Sequence, residues 1–265
     1  MSFGELLENN TFLANRNSFM QRHFKHNDKK SVLFVSAYWP LQKSKYGNTA
    51  NLSAAVYNEW MKNTLSINAP YIIYRDSKQM PKLESVRKPN LSTLWVDMPF
   101  TNLRTARMNM SEVSKVWLVK LDLLYHAYIL FPSVTWFVWA DAALNEYRKV
   151  PPPTKPWPRK DLSTVYPINK FVYVQTRTHD TCLPQNEGIM GGTVFLVHNQ
   201  VIKEVHSLFY ETFRECWQRA NMSEQQRRCC SDDQIIYYHM RVKKANLFYR
   251  SRGKGDWAAI VKDNY

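Results

Sequence analysis

Short, continuous apolar segments separated by amphipathic ones are the feature that most constrains the fold of this chain. The first segment, 31–36, is rich in β-branched and aromatic residues without polar alternation, which predicts a strand buried on both faces. Similar segments predict further strands at 71–74, 93–96, 134–141, 171–174, 193–197 and 246–249. Because strands alternate with helices, we expect an α/β domain with a mixed, mostly parallel central sheet flanked by helices.

The clearest predicted helix spans 111–130, where apolar residues recur every three or four positions after the capping residue Ser111. Another is predicted over 50–65, and two more are predicted to begin at the capping residues Asn199 and Ser231.

The chain is predicted to have two parts. Residues 1–30 are polar and predict an N-terminal arm or short helix, and residues 31–265 form the domain. Within it, prolines are concentrated in 148–170, which predicts a long extended surface loop.

Glycine is scarce, with 7 residues in a chain of 265. Their spacing excludes the G-x-G-x-x-G and G-x-x-x-x-G-K-[ST] motifs, so the glycine-rich phosphate loops are absent. Three of the glycines, Gly188, Gly191 and Gly192, stand just before or at the start of a predicted strand. They predict either a tight turn or a close approach of the backbone to a ligand, and glycine scarcity elsewhere favours the ligand.

The formal net charge of +14 at pH 7 favours anionic or phosphorylated partners. No apolar run approaches the ~18–20 residues of a membrane span, and the first ten residues do not resemble a signal peptide. We therefore expect no transmembrane segment and a cytoplasmic location. The four cysteines form no C-x-x-C motif, and we expect ordinary thiols, with a metal or redox pair at Cys229 and Cys230 as the alternative.

Asp141 directly follows an apolar strand, where a carboxylate is costly unless it is paired or binds a cation. One such carboxylate, with phosphate oxygens and water, suffices for Mg²⁺ or Mn²⁺. The alternative is that Asp141 only caps the turn after the strand.

Two adjacent acids, Asp232 and Asp233, stand near the start of a later predicted helix. They suit simple capping, and the functional alternative is a general base or a ligand for sugar hydroxyls. His239 follows six residues after Asp233 and is either a second metal ligand or a satisfied histidine of the core or surface.

Basic residues precede the strand that leads to Asp141, among them Arg107, Lys115 and Lys120. They are candidates for contacts with a diphosphate, or they form a solvated helix face.

These pieces come in a characteristic order: Ser36-Ala37-Tyr38 at the end of a strand, Trp139-Ala140-Asp141, Gly191-Gly192 and then Asp232-Asp233-Gln234. The order resembles GT-A type nucleotide-sugar glycosyltransferases, whose single domain is Rossmann-like. More narrowly, the sequence is similar to the HtrL/YibB-like proteins of bacteria, nematodes and large DNA viruses. The resemblance covers residues 31–250. A viral member would act in the host cytoplasm.

The resemblance implies transfer of a hexosyl or pentosyl group from a UDP- or GDP-sugar to a glycan or other hydroxyl acceptor. Gly191 and Gly192 would line the sugar and acceptor cleft, and Asp233 or Asp232 would be the catalytic base. The implied donor-binding residues are Ser36, Ala37, Tyr38, Arg107, Lys115, Lys120, Trp139 and Asp141.

Asp141 would match the last acid of the metal-binding DxD motif, with Mn²⁺ or Mg²⁺ as cofactor. Trp139 stands where that motif has its first acid, so a metal would need a second ligand such as His239.

Two other functions remain open from the sequence. The missing first acid of the DxD motif allows a catalytically inactive GT-A-like protein that binds carbohydrate. The charge and the 14% aromatic content allow a nucleic-acid-binding protein. Dispersed basic residues and the lack of a recognisable nucleic-acid motif argue against the latter, so we expect no nucleic acid partner.

Overall fold

A central seven-stranded sheet organises the part of the chain that the computed structural model describes, which is residues 3–24, 31–41, 54–78, 83–176, 181–184, 188–219, 221–252, 256 and 258–265. The strands are β1 (Val32–Tyr38), β2 (Tyr71–Arg75), β3 (Thr93–Asp97), β4 (Trp136–Ala140), β5 (Phe171–Gln175), β6 (Met190–His198) and β7 (Phe248–Arg250). Their order is β3-β2-β1-β4-β6-β5-β7. β6 is antiparallel to both of its neighbours, and the other pairs are parallel. The prediction of a mixed, mostly parallel α/β sheet is confirmed.

Helices cover both faces of this sheet. They are α1 (Phe3–Glu8), α2 (Asn10–His23), α3 (Ala54–Thr64), α4 (Glu112–Leu118), α5 (Lys120–Leu130), α6 (Leu162–Val165), α7 (Ile202–Trp217), α8 (Glu224–Cys230), α9 (Asp233–Lys243) and α10 (Ala259–Lys262). Phe137 and Trp139 of β4 join a core with α2, α5, α7 and α9, whereas Trp136 and Val138 join a second core with α3, α6 and α10. The period of two along β4 therefore divides its side chains between two apolar layers.

The antiparallel direction of β6 determines which residues meet at one edge of the sheet. β1 and β4 end at this edge, and β6 begins there. Asp141, one residue beyond β4, donates its backbone N–H to the carbonyl oxygen of Thr193 in β6 at 2.9 Å. Gly191 and Gly192 thus lie at the carboxyl edge of the parallel strands, where α/β sheets bind ligands.

The long helix predicted over 111–130 is two helices, α4 and α5, which are separated at Val119. The Ser111 cap is confirmed, since its Oγ accepts a hydrogen bond from the Ser114 N–H at 3.1 Å. The break makes Lys120 the first residue of α5. The other two predicted caps are wrong, because Val201 and Asp232 occupy the cap positions of α7 and α9.

The proline-rich segment 148–170 has mostly exposed residues, but several of its large apolar side chains are buried. Trp157, Leu162 and Tyr166 are buried in the second core, and the Trp157 ring packs edge-on against Phe34 at a centroid distance of 4.7 Å. Large apolar side chains between the prolines hold the segment against the sheet.

The expectation of free thiols is wrong. Cys182 pairs with Cys229, and Cys216 pairs with Cys230. The two adjacent cysteines at the end of α8 thus link this helix to two different segments. Cys229 links it to the segment after β5, and Cys230 links it to α7. The paired cysteines are 47 and 14 residues apart in the chain, so the sequence alone does not indicate which cysteines pair.

The N-terminal segment contains helices α1 and α2, and α2 packs on the first core. Phe12 and Phe19 are buried there, and Arg16 donates two hydrogen bonds to the carbonyl oxygen of Leu130, at 2.8 and 2.6 Å. Among the described residues, no helix has the length and apolar character needed to cross a membrane.

Candidate functional site

The ammonium group of Lys120 lies between two carboxylates. Its Nζ is 3.1 Å from Oδ1 of Asp141 and 3.2 Å from Oδ2 of Asp233, and it donates to the carbonyl oxygen of Gly192 at 2.8 Å. The Lys120 side chain is only 3% exposed. This ammonium therefore joins four segments that are far apart in the sequence.

The fold brings these four residues together at the carboxyl edge of the sheet. Lys120 is the first residue of α5 and Asp233 is the first residue of α9. Asp141 directly follows β4, and Gly192 is near the start of β6. Because a helix N-terminus carries partial positive charge, the start of α9 favours the Asp233 carboxylate there.

Trp139 fixes the orientation of Asp141. Its indole Nε1–H donates to Oδ1 of Asp141 at 2.7 Å, which is the same oxygen that Lys120 approaches. Among the described residues, Oδ2 of Asp141 has no hydrogen-bond or ion-pair partner, and the side chain is 29% exposed. One carboxylate oxygen of Asp141 is therefore left without a protein partner among the described residues.

Glycine at 192 is required by the position of Asp233. A Cβ atom at residue 192 would lie 2.6 Å from Oδ2 of Asp233, which is closer than real contacts allow. The Asp233 carboxylate can approach the backbone of β6 only because this side chain is absent.

Burial and charge act in opposite directions on the two buried groups. Burial raises the pKa of Asp233 to about 7, although Lys120 opposes the shift. Burial by itself lowers the pKa of Lys120, but the carboxylates of Asp141 and Asp233 outweigh burial and raise this pKa above the ordinary value. Lys120 therefore stays charged, and Asp233 exchanges its proton near neutral pH.

The side chains of two residues at the end of β1, which were predicted to bind the donor, make contacts within the fold. Ser36 is fully buried, and its Oγ–H donates to the carbonyl oxygen of Ala140 at 2.7 Å. Ala37 is buried in the first core. The side chains of these two residues bind β1 to β4 and to the core, and contact of this strand end with a nucleotide stays a prediction. Tyr38 is half-buried, and its ring centroid lies 6.1 Å from that of Tyr57.

Arg107 and Lys115 lie outside the carboxylate–lysine group. Arg107 is exposed and Lys115 is half-buried on α4. Neither makes a hydrogen bond or ion pair with Asp141 or Asp233 within the described parts of the chain.

Asp232 has a structural role. Its Oδ1 accepts a hydrogen bond from the Gln234 N–H at 3.0 Å, which makes it the N-cap of α9. Of the two acids, Asp233 alone joins the Lys120 group.

His239 does not join Asp141 as the sequence suggests. Six residues along α9 place it about 9 Å from Asp233 along the axis and on another side of the helix. Burial lowers its pKa, and the charges of Arg219 and Lys243 lower it further. The positive charges of these two residues, and not the lowered pKa, disfavour a nearby cation.

The described residues contain no group of three or more side chains suited to hold a metal ion by themselves. Asp141 Oδ2 fits a divalent ion as a single protein ligand, provided that phosphate oxygens and water supply the others.

Sequence reasoning missed a row of aromatic side chains beside β1. The ring centroids of Tyr57 and Trp60 on α3 are 5.4 Å apart, and the Arg148 guanidinium lies 3.9 Å from the Trp60 centroid. The Tyr38 ring, at the end of β1, is 6.1 Å from the Tyr57 ring, so the three aromatic rings form a continuous row. The spacing of Tyr57 and Trp60, three residues apart on a predicted helix, was the available signal.

No family model and no curated protein matches the chain, so the resemblance to HtrL/YibB-like proteins remains an expectation. The solved structures that are similar to this chain over most of their length include the following three. A glycosyltransferase involved in the glycosylation of the major capsid of PBCV-1 is 13% identical, with 83% of this chain and 81% of that chain covered and a TM-score of 0.44. Mouse xyloside xylosyltransferase 1 is 10% identical (83% and 84% covered, TM-score 0.47). A 4-diphosphocytidyl-2C-methyl-D-erythritol synthase from Anaerococcus prevotii is 12% identical (87% and 91% covered, TM-score 0.43).

Proposed function

We propose that this protein is a glycosyltransferase that moves a sugar from a UDP- or GDP-sugar to a hydroxyl group of a glycan. The observation that carries the proposal is the Lys120 ammonium, which holds Asp141 and Asp233 together against Gly192. Asp141, Gly192 and Asp233 are the positions at which the sequence resembles GT-A enzymes, and they meet in one set of contacts.

Asp141 is the proposed donor-side residue. Trp139 and Lys120 both contact its Oδ1, and its side chain is 29% exposed, which leaves Oδ2 to meet the donor diphosphate through a cation. Mn²⁺ or Mg²⁺, when bound there with the donor, supplies neutralising charge for the departing nucleoside diphosphate. Because Asp141 is the single protein ligand, we expect the metal to bind together with the nucleotide.

Asp233 is the proposed proton acceptor. As the acceptor oxygen bonds to the anomeric carbon, the bond between that carbon and the diphosphate breaks, and the hydroxyl proton passes to Asp233. A pKa of about 7 suits this exchange at neutral pH. Since Asp233 is only 1% exposed, the proton reaches it through a water molecule or a hydroxyl group held over Gly192.

Lys120 takes a different role from the one its position in the sequence suggests. Its ammonium is directed at Asp141, Asp233 and the Gly192 carbonyl, and its side chain is buried. An ammonium so enclosed does not bind diphosphate directly. It positions the two carboxylates and keeps their mutual repulsion low.

Hydrolysis of a panel of UDP- and GDP-sugars, with Mn²⁺ or Mg²⁺, tests the proposal. We expect the wild-type protein to hydrolyse at least one donor and Asp141→Asn to lose this activity. Asp161→Asn is a matched control, because Asp161 caps α6 outside the site and asparagine also caps helices.

Full activity of Asp141→Asn would show that the assignment of Asp141 is wrong. If the wild-type protein hydrolyses no donor, thermal-shift measurements distinguish the two remaining functions. A shift with nucleotide sugars would support an inactive carbohydrate-binding protein. Salt-sensitive binding of nucleic acid without any such shift would support a nucleic-acid-binding protein.

We also propose that the protein works in an oxidising compartment, in place of the cytoplasmic location expected from the sequence. The support is the pairing of all four cysteines in two disulfides, which is typical of proteins outside the reducing cytosol.

A further inference from the structure

A small apolar cluster lies beside the candidate active site, separate from the two larger cores. This third cluster contains the buried residues Leu183, Ile189, Ile235 and Tyr238, with Cys182 and Cys229 packed against them. Ile235 is in the first turn of α9, two residues after Asp233, and Ile189 directly precedes β6. The third cluster therefore connects the start of α9 to the chain that leads into Gly191 and Gly192.

The Cys182–Cys229 disulfide joins the same two parts of the chain covalently. Its Cα atoms are 5.5 Å apart. Cys229 precedes Asp233 by four residues, so the Cα atoms of these two residues are at most about 14 Å apart. The disulfide thus fixes the turn between α8 and α9, from which Asp233 begins, to the segment that precedes β6.

The second disulfide has different surroundings. Cys216 and Cys230 are 7% and 2% exposed and belong to the first core, whereas Cys182 and Cys229 are half-buried. In the first core α7 also packs on α9 directly, with the ring centroids of Phe209 and Tyr237 5.7 Å apart. That core keeps α7 and α9 together without the Cys216–Cys230 bond, but the third cluster has only four buried residues in the described part of the chain.

We propose that the Cys182–Cys229 disulfide positions Asp233 against Gly192, so that breaking this bond slows the reaction without weakening donor binding. The fit is close, since a Cβ atom at residue 192 would lie 2.6 Å from Oδ2 of Asp233. A displacement near 1 Å in a catalytic group costs up to about 100-fold in rate. The donor-side residue Asp141 follows β4, in the middle of the sheet, and should stay in place. Naming the reaction rests on the proposed glycosyltransferase function.

Two double variants test the proposal, with donor hydrolysis as the reaction and water as the acceptor. In Cys182→Ala/Cys229→Ala, we expect kcat to fall about tenfold or more while KM for the donor changes less than about twofold. Cys216→Ala/Cys230→Ala is the matched control, because it removes the other disulfide of the same helix end. We expect the control to keep kcat within about threefold of the wild-type value.

The pH profile of kcat separates positioning from a general loss of stability. Burial is the largest cause of the raised pKa of Asp233, so a carboxylate that moves away from Gly192 should titrate at lower pH. The rising limb of the profile should therefore move to lower pH in Cys182→Ala/Cys229→Ala and stay in place in the control.

Reversible reduction guards against a variant that fails to fold. The Cys216→Ala/Cys230→Ala protein keeps Cys182 and Cys229 as its only cysteines. Dithiothreitol supplies two electrons and two protons to their bond and becomes a cyclic disulfide. Oxidised glutathione takes the two electrons and two protons back, which yields two reduced glutathione molecules. We expect kcat to fall on reduction and to return on reoxidation.

Equal losses of kcat in the two double variants would overturn the proposal, since general destabilisation would then explain both. Full kcat after reduction of the Cys182–Cys229 bond would also overturn it.

Amide hydrogen exchange over the first turn of α9 requires neither donor nor turnover. Its result is therefore distinct from failure of the proposed function, which is shown by a wild-type protein that hydrolyses no donor. Faster exchange in Cys182→Ala/Cys229→Ala than in the control would support the positioning of Asp233 even then. Unchanged exchange would overturn it, whether or not the protein is a glycosyltransferase.

Discussion

The indole N–H of Trp139 donates a hydrogen bond to Oδ1 of Asp141 at 2.7 Å. Lys120 Nζ approaches the same oxygen at 3.1 Å, so Oδ1 is engaged on two sides, whereas Oδ2 has no hydrogen-bond or ion-pair partner among the described residues. Tryptophan at this position orients the carboxylate, where an acid would have added a second ligand. The departure from the DxD pattern thus has a defined structural consequence.

Trp139→Phe should keep most of the ring packing and remove this hydrogen bond. A hydrogen bond to a charged group contributes about 1.5–3 kcal/mol, so we expect kcat/KM for the donor to fall about tenfold or more as Asp141 loses its fixed orientation. Steady-state kinetics with varied donor measure the effect. Trp136→Phe is the control, because Trp136 donates to Ser163 Oγ at 3.0 Å on the opposite face of the sheet. Equal losses in the two variants would contradict the role of Trp139.

The adjacent acids Asp232 and Asp233 should respond differently to the same substitution. Asp233→Asn removes the buried proton acceptor, and we expect transfer to fall by about 10²–10⁴. Asp232→Asn should retain most of the activity, because asparagine caps a helix about as well as aspartate. Single-turnover transfer assays on both variants give the comparison. A larger loss in Asp232→Asn would identify Asp232 as the base.

The pH dependence of transfer follows from the raised pKa of Asp233. Burial raises this pKa to about 7, and the base acts when deprotonated, so activity should increase as the pH rises through about 7. Lys120→Met removes the positive charge that opposes this shift. The midpoint of the rising limb should therefore move to higher pH in that variant, and a kcat profile from pH 5 to 9 measures it. An unchanged midpoint would show that another group controls the limb.

The sheet could be predicted from the sequence because its strands are short apolar runs, and burial of both faces requires such runs. The identity of Asp141 as a strand-end acid followed from the same pattern. The role of Lys120 could not be predicted, because it depends on a helix break at Val119 that the apolar periodicity of 111–130 does not show. The pairing of Cys182 with Cys229 could not be predicted from the sequence either, since only the fold brings these residues together.

The two disulfides should make stability depend on redox conditions. Each disulfide typically contributes about 2–4 kcal/mol to the free energy of unfolding, and a chain of this size loses about 2–4 °C in Tm per kcal/mol. We expect dithiothreitol to lower Tm by about 10 °C or more. Alkylation of the unfolded, unreduced protein should label no cysteine, because the four residues are paired. Labelling of all four without reductant would contradict both the pairings and the oxidising compartment.

Gly192→Ala should impair transfer through a steric effect on Asp233. The new Cβ atom would stand 2.6 Å from Oδ2 of Asp233, so the carboxylate must move away from Lys120 and from the β6 backbone. A displacement near 1 Å in a catalytic group costs up to about 100-fold in rate, and we expect a loss of about 10- to 100-fold in kcat. Gly4→Ala is the control, since no atom lies within 4 Å of the Cβ position there. Wild-type kcat in Gly192→Ala would show that the approach of Asp233 to this glycine is not needed for catalysis.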